Sequence, residues 1–149
     1  MGISKGFRRS TPVLPRLEHP IFGEIQATID VGGGLYFWET PESLVTAKGP
    51  IGIFFDAPAE GPSVQQVEMW DWVYRNSESL TWTAEPEFRS RMAELGIEHR
   101  FSELVWSAVG LSKDGDPAKR WDMSFELADG AILTTYFSDG VPVSVSFDD

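Results

Sequence analysis

WDMSFELADGAILTTYFSDGVPVSVSF, residues 121–147, is the stretch that decides the fold. In it Trp121, Met123, Phe125 and Leu127 alternate with Asp122, Ser124, Glu126 and Ala128. Val141, Val143, Val145 and Phe147 likewise alternate with Pro142, Ser144, Ser146 and Asp148. A period of two is the mark of a half-buried strand with one solvated face. Between these runs, Ile132-Leu133 and Tyr136-Phe137 are apolar on both faces, as a central strand is. Asp129-Gly130 and Asp139-Gly140 separate the three runs, and Asp114-Gly115 separates them from another apolar run at residues 104–111. Asp-Gly between β-prone runs is a hairpin signal, because a tight primed turn needs positive φ and glycine supplies it without steric cost. The last third therefore reads as an antiparallel meander of four strands.

Upstream, residues 21–29, 35–39 and 51–55 read as strands, with Gly32-Gly33-Gly34 turning the chain between the first two. Leu44 and Val45 either continue the second strand past a bulge or start a short one. The period then becomes helical. Val64, Val67, Trp70, Val73 and Tyr74 share one side of a helical wheel, after Pro62 placed for a first turn. Leu80, Ala84, Phe88, Met92 and Leu95 form a second stripe, interrupted at Pro86, where the helix kinks or its regular part starts, with Gly96 as a stop. Strands, a helix pair and strands again predict an α+β domain: an antiparallel β-sheet of about six to seven strands with a helical hairpin packed on one face. Residues 1–18 hold Gly2, Gly6, Pro12 and Pro15 without a sustained period and read as a flexible N-terminal arm. Residues 19–149 read as a single domain, which a chain of 149 residues accommodates with a core of its own.

Charge and cysteine usage narrow the function. The chain has no cysteine, so a disulfide framework, a thiolate metal site and a Cys nucleophile are excluded. The formal net charge is -11; residues 1–18 carry Lys5, Arg8, Arg9 and Arg16 against Glu18, which leaves -14 on the remaining 131 residues. So acidic a body repels phosphate backbones and anionic lipid, and it attracts a cationic protein partner; the plain alternative is that the charge serves solubility. No run of 18 apolar residues predicts a membrane span, and no apolar segment follows the N-terminal charges as a leader requires. The expected location is the cytoplasm.

Motifs for chemistry are weak. Gly2-Ile3-Ser4-Lys5-Gly6 matches a nucleophile elbow in letters but has no strand before it. Gly32-Gly33-Gly34 lacks the ending of a phosphate loop, and Asp114-Gly115-Asp116 lacks the spaced ligands of a calcium loop. His19 and His99 stand 80 residues apart without metal-ligand spacing, so no metal and no cofactor is predicted. Glu24, Glu39, Asp56, Asp122 and Glu126 fall on expected strands and could form a carboxylate pair, whose separation a sequence does not give.

Aromatic residues say more. Six Trp, ten Phe and three Tyr exceed what a core of this size needs. Trp72 lies off the apolar arc of the first helix, and Trp82 lies off the stripe of the second. A tryptophan exposed beside carboxylates is an anchor for protein contact, so Trp72 and Trp82, with Glu68 and Asp71, are the candidate protein-binding residues. The alternative has Trp72 packed under the arm or a loop and Trp82 capping the helix pair. His19-Pro20-Ile21-Phe22-Gly23-Glu24-Ile25 and residues 121–127 also give the chain, over 19–149, a layout that resembles small bacterial domains of unknown function. Some of those are encoded near polymorphic toxins and behave as immunity proteins. The resemblance carries no catalytic residue and implies a compact protein that acts by binding. The leading expectation is thus a non-catalytic acidic binding protein, of the immunity or antitoxin type, recognising a basic protein. A small carboxylate-dependent hydrolase or ligand-binding domain, with a pocket between sheet and helices, is the alternative; a homodimer joined through sheet edges or helices is a third reading.

Overall fold

A computed structural model describes residues 13–149. Nine strands and two main helices follow one another as β1 (Arg16–His19), β2 (Gly23–Gly32), β3 (Leu35–Glu39), β4 (Leu44–Thr46), β5 (Gly49–Ala57), α1 (Val64–Arg75) and α2 (Ser77–Glu94). After a 3-10 turn (Glu98–Glu103) come β6 (Val105–Gly110), β7 (Trp121–Glu126), β8 (Ile132–Ser138) and β9 (Val141–Asp148). The sheet runs β1-β2-β3-β5-β6-β7-β8-β9, with β4 paired to β5 outside that path. Among the described residues only the β5–β6 pair, which the helices bridge, is parallel.

The α+β class and the antiparallel meander are as predicted, but the sheet has nine strands rather than six or seven. One added strand is the short β4. The other is β1, which begins at Arg16 inside the stretch read as an arm and pairs with β2 from Arg16 to His19. Residues 1–12 of that stretch, including the Gly2 to Gly6 match, lie outside the described residues.

The expected helical hairpin is also revised. The helices meet at Asn76 with no loop between them: its N–H still bonds the carbonyl of Trp72, and its carbonyl accepts from Leu80 N. One residue is too little to reverse a helix, so the chain bends instead of folding back. Ser63 and Gln66 form a capping box at the start of α1. Its buried stripe is Gln66, Met69, Trp70 and Val73, one step round from the predicted one, and Val64 stands in solvent. The α2 stripe of Leu80, Ala84, Phe88 and Met92 is buried as its period predicts, and the helix runs on through Pro86. Gly96 (φ +74°) ends it, with Ile97 N bonded to Met92 O at 2.8 Å and Gly96 N to Ala93 O at 3.1 Å, a Schellman stop.

The core lies between the helices and one face of the sheet. Phe22 meets Trp70, Phe88 meets Phe125 edge-on at 4.9 Å, and Trp38, Ile51, Ile53, Phe55, Met123 and Leu133 are sealed from solvent. The opposite face of the sheet carries Phe37, Phe54, Asp122, Ser124, Thr134 and Tyr136, which alternate with the core residues.

Candidate functional site

Trp82 is 78% exposed, the most open large aromatic among the described residues. It stands on α2 in a row with Glu78, Thr81 and Glu85, which the helical period places on one face, away from the buried Leu80, Ala84 and Phe88. That row forms one wall of a groove of about 450 Å³. Phe101 of the 3-10 turn and Leu104 just after it form the other wall, and Trp106 of β6 with Phe125 of β7 make the floor.

Lys48 and Ser77 complete the lining, and each part of the groove is held by its neighbours. Trp106 and Phe125 sit directly opposite one another in the β6–β7 ladder, and a bulge after Trp106 turns it to the helical side, where it packs on Trp70 and Tyr74. Arg100 clamps the 3-10 turn by bonding both oxygens of Glu103 (2.8 and 3.0 Å) and Asp129 Oδ2 (3.1 Å). These bonds hold both carboxyls below their ordinary values. Lys48, from the β4–β5 turn, donates its Nζ to Tyr74 O and Ser77 Oγ and rests 4.6 Å from the Tyr74 ring centre. Its charge is thus tied to the junction of the two helices. The lining is mostly apolar, and Glu78 and Glu85 stand along the helical wall. Such a groove can take an aliphatic or aromatic side chain with a cationic neighbour, and the hydroxyl that faces it beside a basic group, Ser77 Oγ, is bonded to Lys48 Nζ at 2.7 Å.

The other candidates predicted with Trp82 lie elsewhere. Trp72 is half-buried, edge-on to Trp121 at 6.1 Å, so it packs on the core instead of standing free. Glu68 is exposed on α1, and Asp71 is exposed and paired with Arg75 at 2.8 Å. None of these three lines the groove. Leu104 and Trp106 were missed as site residues because 104–111 reads as an ordinary strand, and Phe101 because the 3-10 turn that places it carries no sequence period.

Asp122 is one of the strand carboxylates singled out from the sequence. It lies on the outer sheet face, and burial pushes its carboxyl up to about 6, against the pull of the Gly110 amide and the Arg120 charge. Asp56 of β5, Lys113 and Arg120 of the β6–β7 loop and Tyr136 of β8 surround it. A raised carboxyl favours the fold fully below its ordinary value, and that contribution is lost as pH rises through about 6. Asp122→Asn should therefore gain about 1–2 kcal/mol over the parent between pH 4 and pH 8, allowing for partial exposure. Urea melts across that range measure it, and a difference that does not vary with pH would contradict it.

Among the described residues, no cluster of three or more His, Asp or Glu is placed to hold a metal ion, and no helix is long and apolar enough to cross a membrane. In comparisons with known proteins, no family model, no curated protein and no solved structure matches this chain.

Proposed function

We propose that the protein acts by binding, and that the groove beside Trp82 holds a basic, partly apolar segment of another protein. In its concrete form it masks that partner, as immunity proteins do. The observation that carries this reading is Trp82 itself: a large aromatic left 78% exposed over an apolar floor, between Glu78 and Glu85. Nothing in the fold gains from an exposed tryptophan, whereas an interface gains a rigid anchor of large area. The negative charge supports the same reading, since it steers a cation towards the body of the protein.

Selection of random twelve-residue peptides on the immobilised protein tests it. The expected sequences carry Lys or Arg next to Leu, Trp or Phe. Their affinity should fall about tenfold or more in Trp82→Ala and weaken between low and high salt. The substitution leaves stability within about 0.5 kcal/mol, because the side chain is exposed. Acidic winners, or winners indifferent to Trp82→Ala, would refute the proposal.

A further inference from the structure

The outer face of the sheet holds a second cavity, of about 300 Å³, with no part in the groove. One row of residues crosses it: Phe54 of β5, Gly110 of β6, Asp122 of β7 and Tyr136 of β8 stand side by side in the ladder. Neighbouring strands lie about 4.8 Å apart, so Phe54 and Tyr136 are two aromatic walls roughly 14 Å apart with a gap between them. Gly110 makes the gap. A Cβ there would fall 2.5 Å from Asp122 Oδ2, so the carboxyl lies where any other side chain would stand. Phe37 backs Phe54 in a stacked pair at 5.9 Å and extends the apolar wall.

Asp56 and Asp122 share this cavity with Lys113 and Arg120, and these four charges close no ion pair with one another. Among the described residues no ion pair reaches Asp122, Arg120 or Lys113. Arg120 instead lies on the Tyr136 ring, 4.8 Å from its centre, with its fork of donors free for a carboxylate. Asp122 and Arg120 thus share one aromatic-walled space, close enough for the charge of one to act on the other but without a direct ion pair. We infer that this cavity binds a free α-amino acid with a large apolar side chain. Its ammonium sits on Asp122, its carboxylate on Arg120 with Lys113 nearby, and its side chain lies against Phe54 and Phe37. An amine alone leaves Arg120 unmet, and a carboxylic acid alone leaves Asp122 unmet. The zwitterion satisfies both, and the volume accommodates a ligand of that size.

The test titrates the full chain calorimetrically with the free L-amino acids at up to 5 mM, followed by the amide and the N-acetyl form of the best binder. One or more of Leu, Met, Phe, Tyr or Trp should bind, and each blocked form should bind at least tenfold more weakly. Asp122→Asn and Arg120→Gln should each lower the affinity about tenfold or more while Trp82→Ala leaves it unchanged. Arg120 is exposed, so its replacement keeps the fold intact, and the change at Asp122 removes a carboxylate whose burial costs stability. Binding should also weaken about tenfold from pH 7.5 to pH 5, as Asp122 takes up its proton. Absence of binding by every amino acid, equal binding by the blocked forms, or loss in Trp82→Ala with retention in Asp122→Asn would each overturn the assignment.

Discussion

Gly115→Ala should cost the fold about 3–5 kcal/mol, one of the largest losses available to a single methyl group in this chain. Two effects add. Gly115 has φ +72°, where a side chain is strained by roughly 1–2 kcal/mol. Its Cβ would also meet backbone, at 2.4 Å from Gln65 C, 2.5 Å from Gln65 O and 2.6 Å from Gln66 N. Those atoms belong to the first turn of α1 and cannot rotate away as a side-chain end could. Relief requires the β6–β7 loop to lift from the helix. Gly130→Ala isolates the first effect, because Gly130 has φ +91° with nothing within 4 Å of its Cβ. For a domain of this size each kcal/mol lowers the melting midpoint by roughly 2–4 °C. Gly115→Ala should then melt about 10 °C below the parent, and Gly130→Ala only a few degrees below. Equal drops in the two variants would mean that the contact with α1 contributes nothing.

The three Asp-Gly pairs show how far local sequence reaches. At Asp139-Gly140 both residues adopt positive φ (54° and 78°) and join β8 to β9 directly, the two-residue primed turn that the dipeptide predicts. At Asp129-Gly130 only the glycine is left-handed, and Leu127 and Ala131 close a wider loop. At Asp114-Gly115 the pair sits in a ten-residue connection whose shape is set by its contact with α1. A dipeptide specifies a turn only where both flanking strands continue up to it. Strand period was equally informative for the core face and equally blind to what lies on the other face. Asp122 alternates with apolar neighbours and reads as solvated; its burial comes from Gly110 and Tyr136 on adjacent strands, which pairing alone brings together. Trp82 was legible because a helical wheel places it without reference to any other element. Trp72 misled because Trp121, 49 positions away in sequence, covers it.

Gln66→Leu is the second large effect expected, and it ties the helix cap to the cavity on the far side of the sheet. Gln66 is 1% exposed, a polar side chain within the buried stripe of α1. Its Nε2 lies 2.9 Å from Asp56 O, 3.1 Å from Lys113 O and 3.2 Å from Ser112 O, while its Oε1 accepts from Ser63 N at 3.0 Å. Two amide hydrogens serve three carbonyls, so at least one is shared. Leucine has a similar volume and fills the space, but it leaves buried carbonyls and the Ser63 amide without partners. The expected loss is about 2–4 kcal/mol, most of it the cost of those orphaned groups and little of it lost packing. Asp56, Ser112 and Lys113 also line the cavity around Asp122, so the same substitution releases one wall of that cavity. Gln66→Glu separates the two consequences: it keeps the shape and the Ser63 bond, yet sets a carboxylate against three carbonyl oxygens, and should destabilise at least as much as leucine above neutral pH. Denaturation midpoints together with amide exchange at residues 112–116 measure both effects. If Gln66→Leu melted within about 0.5 kcal/mol of the parent with that loop still protected, the side chain would not be what fastens the β6–β7 connection to α1.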